Sequence, residues 1–270
     1  MSGWRLTLRH APAVRVDLRG VLPAALATLS AAQVEQLPVG HGRALVPLGE
    51  FFAARPEGDD GALHFDGDLS RFDRVGWQMA GGRLTVDGPA GHYTGGCMTG
   101  GALRVNGAVG LLAGCEMAGG TLTVDGDAGD FAASTLPGSM DGMRGGTLVV
   151  TGNAGARFGD RMRRGTALVF GNAGDFLASR MVAGTIGIGG HAGDHVGYGM
   201  RRGSVVFATS APSIAPTFVP AVADALVFWQ LLARDLARHG GPFETLPSRT
   251  ITRHLGDLAS DGRGELILAT

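Results

Sequence analysis

A methionine recurs through this chain on a fixed beat. Met79, Met98, Met117, Met143, Met162, Met181 and Met200 stand 19, 19, 26, 19, 19 and 19 residues apart, so seven of the nine methionines fall on one ladder. Three residues after each comes a glycine: Gly82, Gly101, Gly120, Gly146, Gly165, Gly184 and Gly203. The residues five and seven places on are apolar, from Leu84/Val86 and Leu103/Val105 through Leu122/Val124, Leu148/Val150, Ala167/Val169 and Ile186/Ile188 to Val205/Phe207. Alternation of this kind marks a strand with one face turned inward. Glycine returns nine and twelve places after the methionine, the second time as Gly91, Gly110, Gly129, Gly155, Gly174 and Gly193. Leu63–Gly67 reads as an earlier, degenerate copy, which makes about eight copies between residue 58 and about residue 210.

A unit this short has no room for a helix plus a strand, and a propeller blade needs about twice its length. The pattern therefore predicts an all-β chain: a parallel β-helix, or β-solenoid, of about eight coils with one repeat per coil. Equivalent residues would stack about 4.8 Å apart. Glycine would serve where the backbone turns with positive φ or where neighbours approach closely. Open ends of such a stack expose strand edges and need covering. Residues 1–57 are expected to form an N-terminal α/β cap, with strands over Trp4–Arg9 and Val14–Leu18 and helix over Leu22–Leu37, Ser30 serving as N-cap of its second part. Residues 58–210 form the repeat domain, and residues 211–270 a C-terminal helix and tail. The helix is placed at Pro220–His239, with Val222, Leu226, Phe228, Trp229, Leu232 and Leu236 on its apolar stripe, followed by strands at Arg249–Arg253 and Glu265–Leu268. Phe228 and Trp229 are open to two uses, covering the last coil or docking a partner. The long interval between methionines holds a loop insertion near residues 134–142, rich in proline, glycine and serine; insertions in repeat folds often fall on a binding face.

Composition narrows the function. Glycine supplies 47 of 270 residues but with no three-residue period, so collagen is excluded. A net charge of −1 argues against a nucleic-acid binder. All 23 basic residues are arginine, a bias that suits a GC-rich bacterial genome. Two cysteines make no disulfide framework and fit a reducing cytosol. No signal-peptide pattern and no membrane-length apolar run is present, so a cytoplasmic protein is expected.

Four copies of the repeat obey G-x-x-G-x-x-x-G: Gly88/Gly91/Gly95, Gly107/Gly110/Gly114, Gly152/Gly155/Gly159 and Gly190/Gly193/Gly197. Two further copies end in Ala133 and Ala178. In tandem this resembles the glycine-repeat domain that closes the glutamate synthase large subunit, and the C subunit of formylmethanofuran dehydrogenases. In both families the resemblance implies a right-handed β-helix. The short chain, with its own cap, is more similar to the free-standing C subunit, and the absence of lysine favours its bacterial relative in the formyltransferase/hydrolase complex. The resemblance implies a complex that moves a formyl group from formyl-tetrahydromethanopterin to methanofuran or an analogue and releases formate, in one-carbon (formaldehyde oxidation) metabolism. It implies amidohydrolase-like and formyltransferase subunits as partners, the metal in a partner subunit, and no cofactor bound by this chain. This chain would then be a non-catalytic scaffold.

The residues themselves offer little chemistry. His191 and His195 flank Gly193 without a third ligand. Cys97 and Cys115 occupy nearly equivalent positions on adjacent repeats and are expected to be inert thiols. Asp125, Asp127 and Asp130 do not recur as a calcium motif requires and read as solvated corner residues. No phosphate loop or nucleophile elbow is present. Charge is more informative. Residues 58–142 carry 11 acidic residues and 4 arginines, net −7, whereas residues 143–203 carry 8 arginines and 3 aspartates, net +5. Arg163-Arg164 and Arg201-Arg202 repeat two copies apart, Arg144, Arg163 and Arg201 share one column, and Arg161 and Arg180 another. Stacked like charges repel, so this edge is read as solvated, as a dock for an acidic partner, or as a contact to an anionic cofactor tail through Arg163, Arg164, Arg201 and Arg202. Two other classes remain open: a regulatory or interface module of a glutamate-synthase-like enzyme, and a β-helix carbohydrate lyase, which would need a carboxylate-lined groove.

Overall fold

The computed structural model describes residues 2–221 and 226–270. The N-terminal segment supplies β1 (Trp4–Leu8), β2 (Val16–Asp17), the short helices α1 (Pro23–Leu26) and α2 (Ala31–Glu35), the hairpin of β3 (Pro38–His41) and β4 (Ala44–Pro47), and β5 (Phe52–Pro56). The repeats supply β6 (Leu63–Asp66), β7 (Phe72–Asp73), β8 (Arg83–Asp87), β9 (Thr99–Val105), β10 (Ala118–Val124), β11 (Arg144–Val150), β12 (Arg164–Val169), β13 (Thr185–Ile188) and β14 (Ser204–Phe207). β15 (Val219–Pro220), α3 (Leu226–Ala237), β16 (Ile251–Gly256) and β17 (Gly264–Ala269) complete the chain.

The architecture corrects the expected right-handed parallel β-helix. The chain folds as a mostly-sheet protein around one open, mixed sheet of 13 strands, in the order β15-β16-β17-β14-β13-β12-β11-β10-β9-β8-β6-β1-β5. A separate sheet of 4 strands runs β4-β3-β2-β7. The reason lies outside the repeats. β5, β16 and β15 come from non-repeating sequence and pair antiparallel, β5 with β1 at one edge and β16 with β17 and β15 at the other. A repeat period specifies parallel neighbours; it says nothing about strands that lack the period.

Where repeats meet, they meet in parallel and in phase. Leu84, Leu103, Leu122, Leu148, Ala167, Ile186 and Val205 are neighbours in turn, and so are Val86, Val105, Val124, Val150, Val169, Ile188 and Phe207. All of these side chains are buried. A second parallel row links Leu69, Ala90, Val109, Ala128, Ala154, Ala173 and Ala192. Met143 O accepts from Arg163 N, Met162 O from Val182 N and Met181 O from Arg201 N, each at 2.8 Å, so consecutive methionines sit on adjacent steps. The pairing of methionine with a glycine three places on now has a cause. The Met79 methyl fills the space a Cβ at Gly101 would need, 2.6 Å away, and Met117 and Met181 do the same at Gly146 and Gly203, each at 2.8 Å. The Gly129 column works differently: a Cβ there would lie 2.9 Å from the Gly110 backbone, so close approach alone excludes a side chain. The glycines three places after the methionines also turn with positive φ, from 79° at Gly101 to 108° at Gly184, and one row of left-handed corners falls on other residues, Tyr93, Leu112, Phe131, Arg157, Phe176 and His195, whose φ runs from 58° to 62°. The local cost, about 1–2 kcal/mol each, is offset by inter-repeat hydrogen bonds such as Leu112 N to Asp130 O at 2.9 Å.

The flanking segments match their expected elements unevenly. Trp4 and Leu6 of β1 extend the buried rows beyond β6. Leu22–Leu37 splits into two short helices, the second capped by Ser30, which exchanges hydrogen bonds with Gln33. Of the helix expected at Pro220–His239, Val222 lies outside the described residues, Pro220 belongs to β15, and α3 is described from Leu226 to Ala237. α3 covers a flank of the sheet rather than its end. Trp229, Ala233 and Leu236 pack on Val149, Leu168, Val206 and Ile267, while the end beyond β14 is continued by β17. Trp229 Nε1 donates to Arg249 O at 3.0 Å, whereas Phe228 is exposed.

Close approach makes one repeat position behave in two ways. A Cβ at Gly119 would lie 2.3 Å from the Thr99 carbonyl oxygen, but at the equivalent Gly81 it would meet nothing within 4 Å. Gly119→Ala is expected to cost roughly 1–3 kcal/mol or more as an overpacked site. Gly81→Ala should stay within about 0.5 kcal/mol of the parent. Denaturant midpoints of the two variants check this, and equal losses would contradict the packing account.

Candidate functional site

Five arginines are delivered to one groove by the two repeat positions that follow the methionine. Arg144 opens β11, Arg163 precedes β12 and Arg164 opens it, and Arg201 and Arg202 lead into β14. All are exposed. Together with Val182 and Ala183 on the intervening step, they line an open groove of about 580 Å³. A second groove of about 530 Å³ adjoins it, lined by Arg201, Arg202, Ser260, Asp261 and Arg263. The two share Arg201 and Arg202 as lining, and Arg263 N donates to Arg201 O at 2.7 Å. The column predicted for Arg144, Arg163 and Arg201 is shifted by one residue at its start: a bulge between Arg144 and Thr147 sets Arg144 opposite Arg164. Like charges on adjacent strands, about 5 Å apart, repel by about 0.8 kcal/mol even in water.

Counter-charges are sparse here. Arg163 pairs with Asp141, and Arg144 reaches Glu116 at 3.8 Å. Among the described residues no carboxylate pairs with Arg164, Arg201, Arg202 or Arg263. Several arginines elsewhere find partners: Arg15 with Asp73, Arg74 with Asp17, Arg104 with Asp125, Arg180 with Asp160. The grooves are lined mainly by cations, with Asp261 as their one carboxylate among the described residues, not by the carboxylate cluster a carbohydrate lyase would place there.

The insertion at residues 134–142 frames the groove. Asp141 joins it to Arg163, Glu116 accepts from Leu136 N at 3.2 Å, and Arg161 Nη1 donates to Met140 Sδ at 3.0 Å. Beneath it a pocket of about 270 Å³ is walled by Leu112, Phe131, Pro137, Asp160, Arg161 and Arg180. Asp160 is buried and accepts from Arg180 Nη2 at 3.0 and 3.1 Å and from Nε at 3.2 Å.

The remaining candidates serve the fold. Asp127 accepts from Asn153 N and Nδ2, Asp130 from Ala156 N, and Asp175 from Asp194 N, so these aspartates cap backbone donors rather than simply standing in solvent. His191 N donates to Asn172 Oδ1, and His195 stacks on Phe176 at 4.7 Å. Cys97 N donates to Cys115 O at 2.8 Å, and burial pushes both thiols above their ordinary pKa. Among the described residues no three His, Cys, Asp or Glu side chains converge as a metal site, and no helix is long and apolar enough to cross a membrane. Three features carry little or no signal in the sequence. Arg263 lies outside the repeat. Asp160 sits in a column otherwise held by Trp77, Gly96, Cys115, Ser134, Ser179 and Tyr198, and only its charge marks it. The sixth place after each methionine reads Thr85, Arg104 and Thr123, then Val149, Leu168, Gly187 and Val206; that switch to apolar or small residues marks where α3 and the segment that follows it cover the sheet.

Asp160 is buried, whereas its main partner Arg180 is 41% exposed and Arg161 Nε lies 3.9 Å from the same carboxylate. Arg180→Ala leaves the buried carboxylate with Arg161 as its one nearby cation among the described residues, and a loss of about 1–2 kcal/mol is expected. Asp160→Asn in the same background should restore part of it, which a double-mutant cycle by thermal melting measures.

No family model matches the chain. Over 86 residues it is 44% identical to the C subunit of the formyltransferase/hydrolase complex of Methylorubrum extorquens, and over 99 residues 33% identical to the C subunit of the tungsten-containing formylmethanofuran dehydrogenase 2 of Methanothermobacter thermautotrophicus. These aligned stretches are 32% and 35% of this chain, and the chain spans about a third of the length of those curated relatives, 32% and 37%. The structural likeness is complete: a chain in the crystal structure of the Methylorubrum extorquens formyltransferase/hydrolase complex with methylofuran superposes with a TM-score of 0.90, at 40% identity, over 98% of this chain and 99% of that one. On that full-length correspondence, the chain belongs to the C-subunit family shared by formyltransferase/hydrolase complexes and formylmethanofuran dehydrogenases.

Proposed function

We propose that this chain is a non-catalytic scaffold subunit of a cytoplasmic formyltransferase/hydrolase complex. The complex transfers a formyl group from formyl-tetrahydromethanopterin to methanofuran or a close analogue and releases formate in one-carbon metabolism. The full-length match to a chain of such a complex carries this reading. The use of polar side chains supports the scaffold role: Asp73, Asp127, Asp130, Asn153, Asn172 and Asp175 all accept from backbone N–H groups of the next repeat and hold the ladder in register. The chemistry is assigned to amidohydrolase-like and formyltransferase partner subunits, which also hold the metal and the reactive end of the cofactor. Residues 1–57 cap the repeats, while the ladder faces, the insertion near 134–142 and the C-terminal helix supply docking surface.

Native mass spectrometry of the assembly purified through a tag on this chain tests the reading. The expected result is one stoichiometric complex with amidohydrolase-like and formyltransferase subunits. A chain that elutes only with itself, or with glutamate synthase subunits, overturns it.

A further inference from the structure

We propose that the paired arginine grooves dock an acidic segment of a neighbouring subunit, which runs across the strands from Arg164 to Arg263. The inference rests on the subunit reading above and adds the chemistry of one contact. Four observations carry it. Arg164, Arg201, Arg202 and Arg263 line two grooves that share Arg201 and Arg202; Asp261 also lines the second, but among the described residues no carboxylate forms an ion pair with any of the four. Their spacing is set by the sheet, because β12, β13, β14 and β17 are successive parallel neighbours. The arginine pairs therefore lie two strand steps apart, about 10 Å, with Arg263 about 5 Å further on. The step between them is apolar, Val182 and Ala183, so the surface alternates charge, apolar floor and charge. An extended chain rising about 3.3 Å per residue turns every second side chain to the same face, so carboxylates at alternate positions, about 6.6 Å apart, would run along this strip. Finally, the groove is open and every lining arginine is exposed. A small ligand is normally held in a cleft that buries most of its surface, whereas a flat cationic strip suits a macromolecular partner that supplies the covering layer itself.

Arginine footprinting with phenylglyoxal on the intact complex, read by mass spectrometry, tests this. Exposed Arg43 and Arg55, far along the chain, are the internal controls. In moderate salt Arg164, Arg201 and Arg202 should react about ten-fold more slowly than the controls, as desolvated interface residues do. At about 1 M salt, where the screening length falls to about 3 Å, their reactivity should rise toward that of the controls. The charge-reversed variant Arg164→Glu/Arg201→Glu/Arg202→Glu should lose at least one partner subunit from the purified assembly. Control-like reactivity in moderate salt overturns the proposal while leaving the subunit reading intact, provided the partners still co-purify. Protection that disappears when bound small molecules are stripped from an otherwise intact complex overturns it in favour of a small polyanion. Absence of every partner is failure of the subunit reading itself.

Discussion

The distance between backbones in adjacent repeats governs this protein. Parallel neighbours are held so closely that a Cβ at many repeat positions would lie within 3 Å of the next repeat's backbone, as at Gly119, Gly126 and Gly145. Glycine is therefore required by exclusion at these positions, and by both exclusion and positive φ in the column of Gly101, Gly146 and Gly203, where the methionine methyls fit. Methionine suits them because it is unbranched and adapts its length to irregular gaps. Two residue types thus solve one packing problem, and both must recur at the strand-to-strand step.

Once the inner face is filled by the same residues at every step, variation is confined to outward positions. There the chain divides. Before residue 142 the outward places carry threonine, aspartate and isolated arginines that pair locally, as Arg104 does with Asp125. After it, Val149, Leu168 and Val206 accept α3 and the segment following it, and the edge beside them accumulates arginine. The insertion lies at this boundary, tied to the basic half through Asp141 and Arg163. Scaffold and surface are separable in the sequence because they use alternate residues of the same strands.

Much of this is legible in the sequence, and what is not has physical causes. The phase of the repeat places each strand and its buried residues, since period-2 alternation is a direct consequence of pleating. It also brings Arg163, Arg164, Arg201 and Arg202 to one face. The global form is not legible. An open, mixed sheet depends on β5, β15 and β16, whose short non-repeating sequences carry no pairing signal. Arg263 is invisible for the same reason: only the addition of β17 beside β14 brings it next to Arg201. The apolar stripe of the helix is plain in the sequence, but the surface it meets is not: the sequence leaves Phe228 and Trp229 open between covering the last repeat and docking a partner, and Trp229 packs on Val149, Leu168, Val206 and Ile267. The residues that receive it, Val149 and Leu168, alternate with the stronger inward row and are hidden by it.

Two kinds of polar residue follow from this architecture, and they imply different roles. The aspartates and asparagines at the corners are consumed by backbone donors, and that use leaves them no freedom for chemistry. Arg164, Arg201, Arg202 and Arg263 are the reverse: they are set at strand spacing by the ladder, while their guanidinium groups pair with no carboxylate among the described residues. Fixing the stems costs the assembly little further entropy, so a partner meets charges already set at strand spacing. Such a surface is poor at activating a bond, because its charges are hydrated and exposed. It is well suited to holding an anionic chain at defined intervals, with strength that falls as salt screens it. The structure thus places its rigidity in the core and its unspent charge on one edge, the division expected of a subunit whose work is to position others.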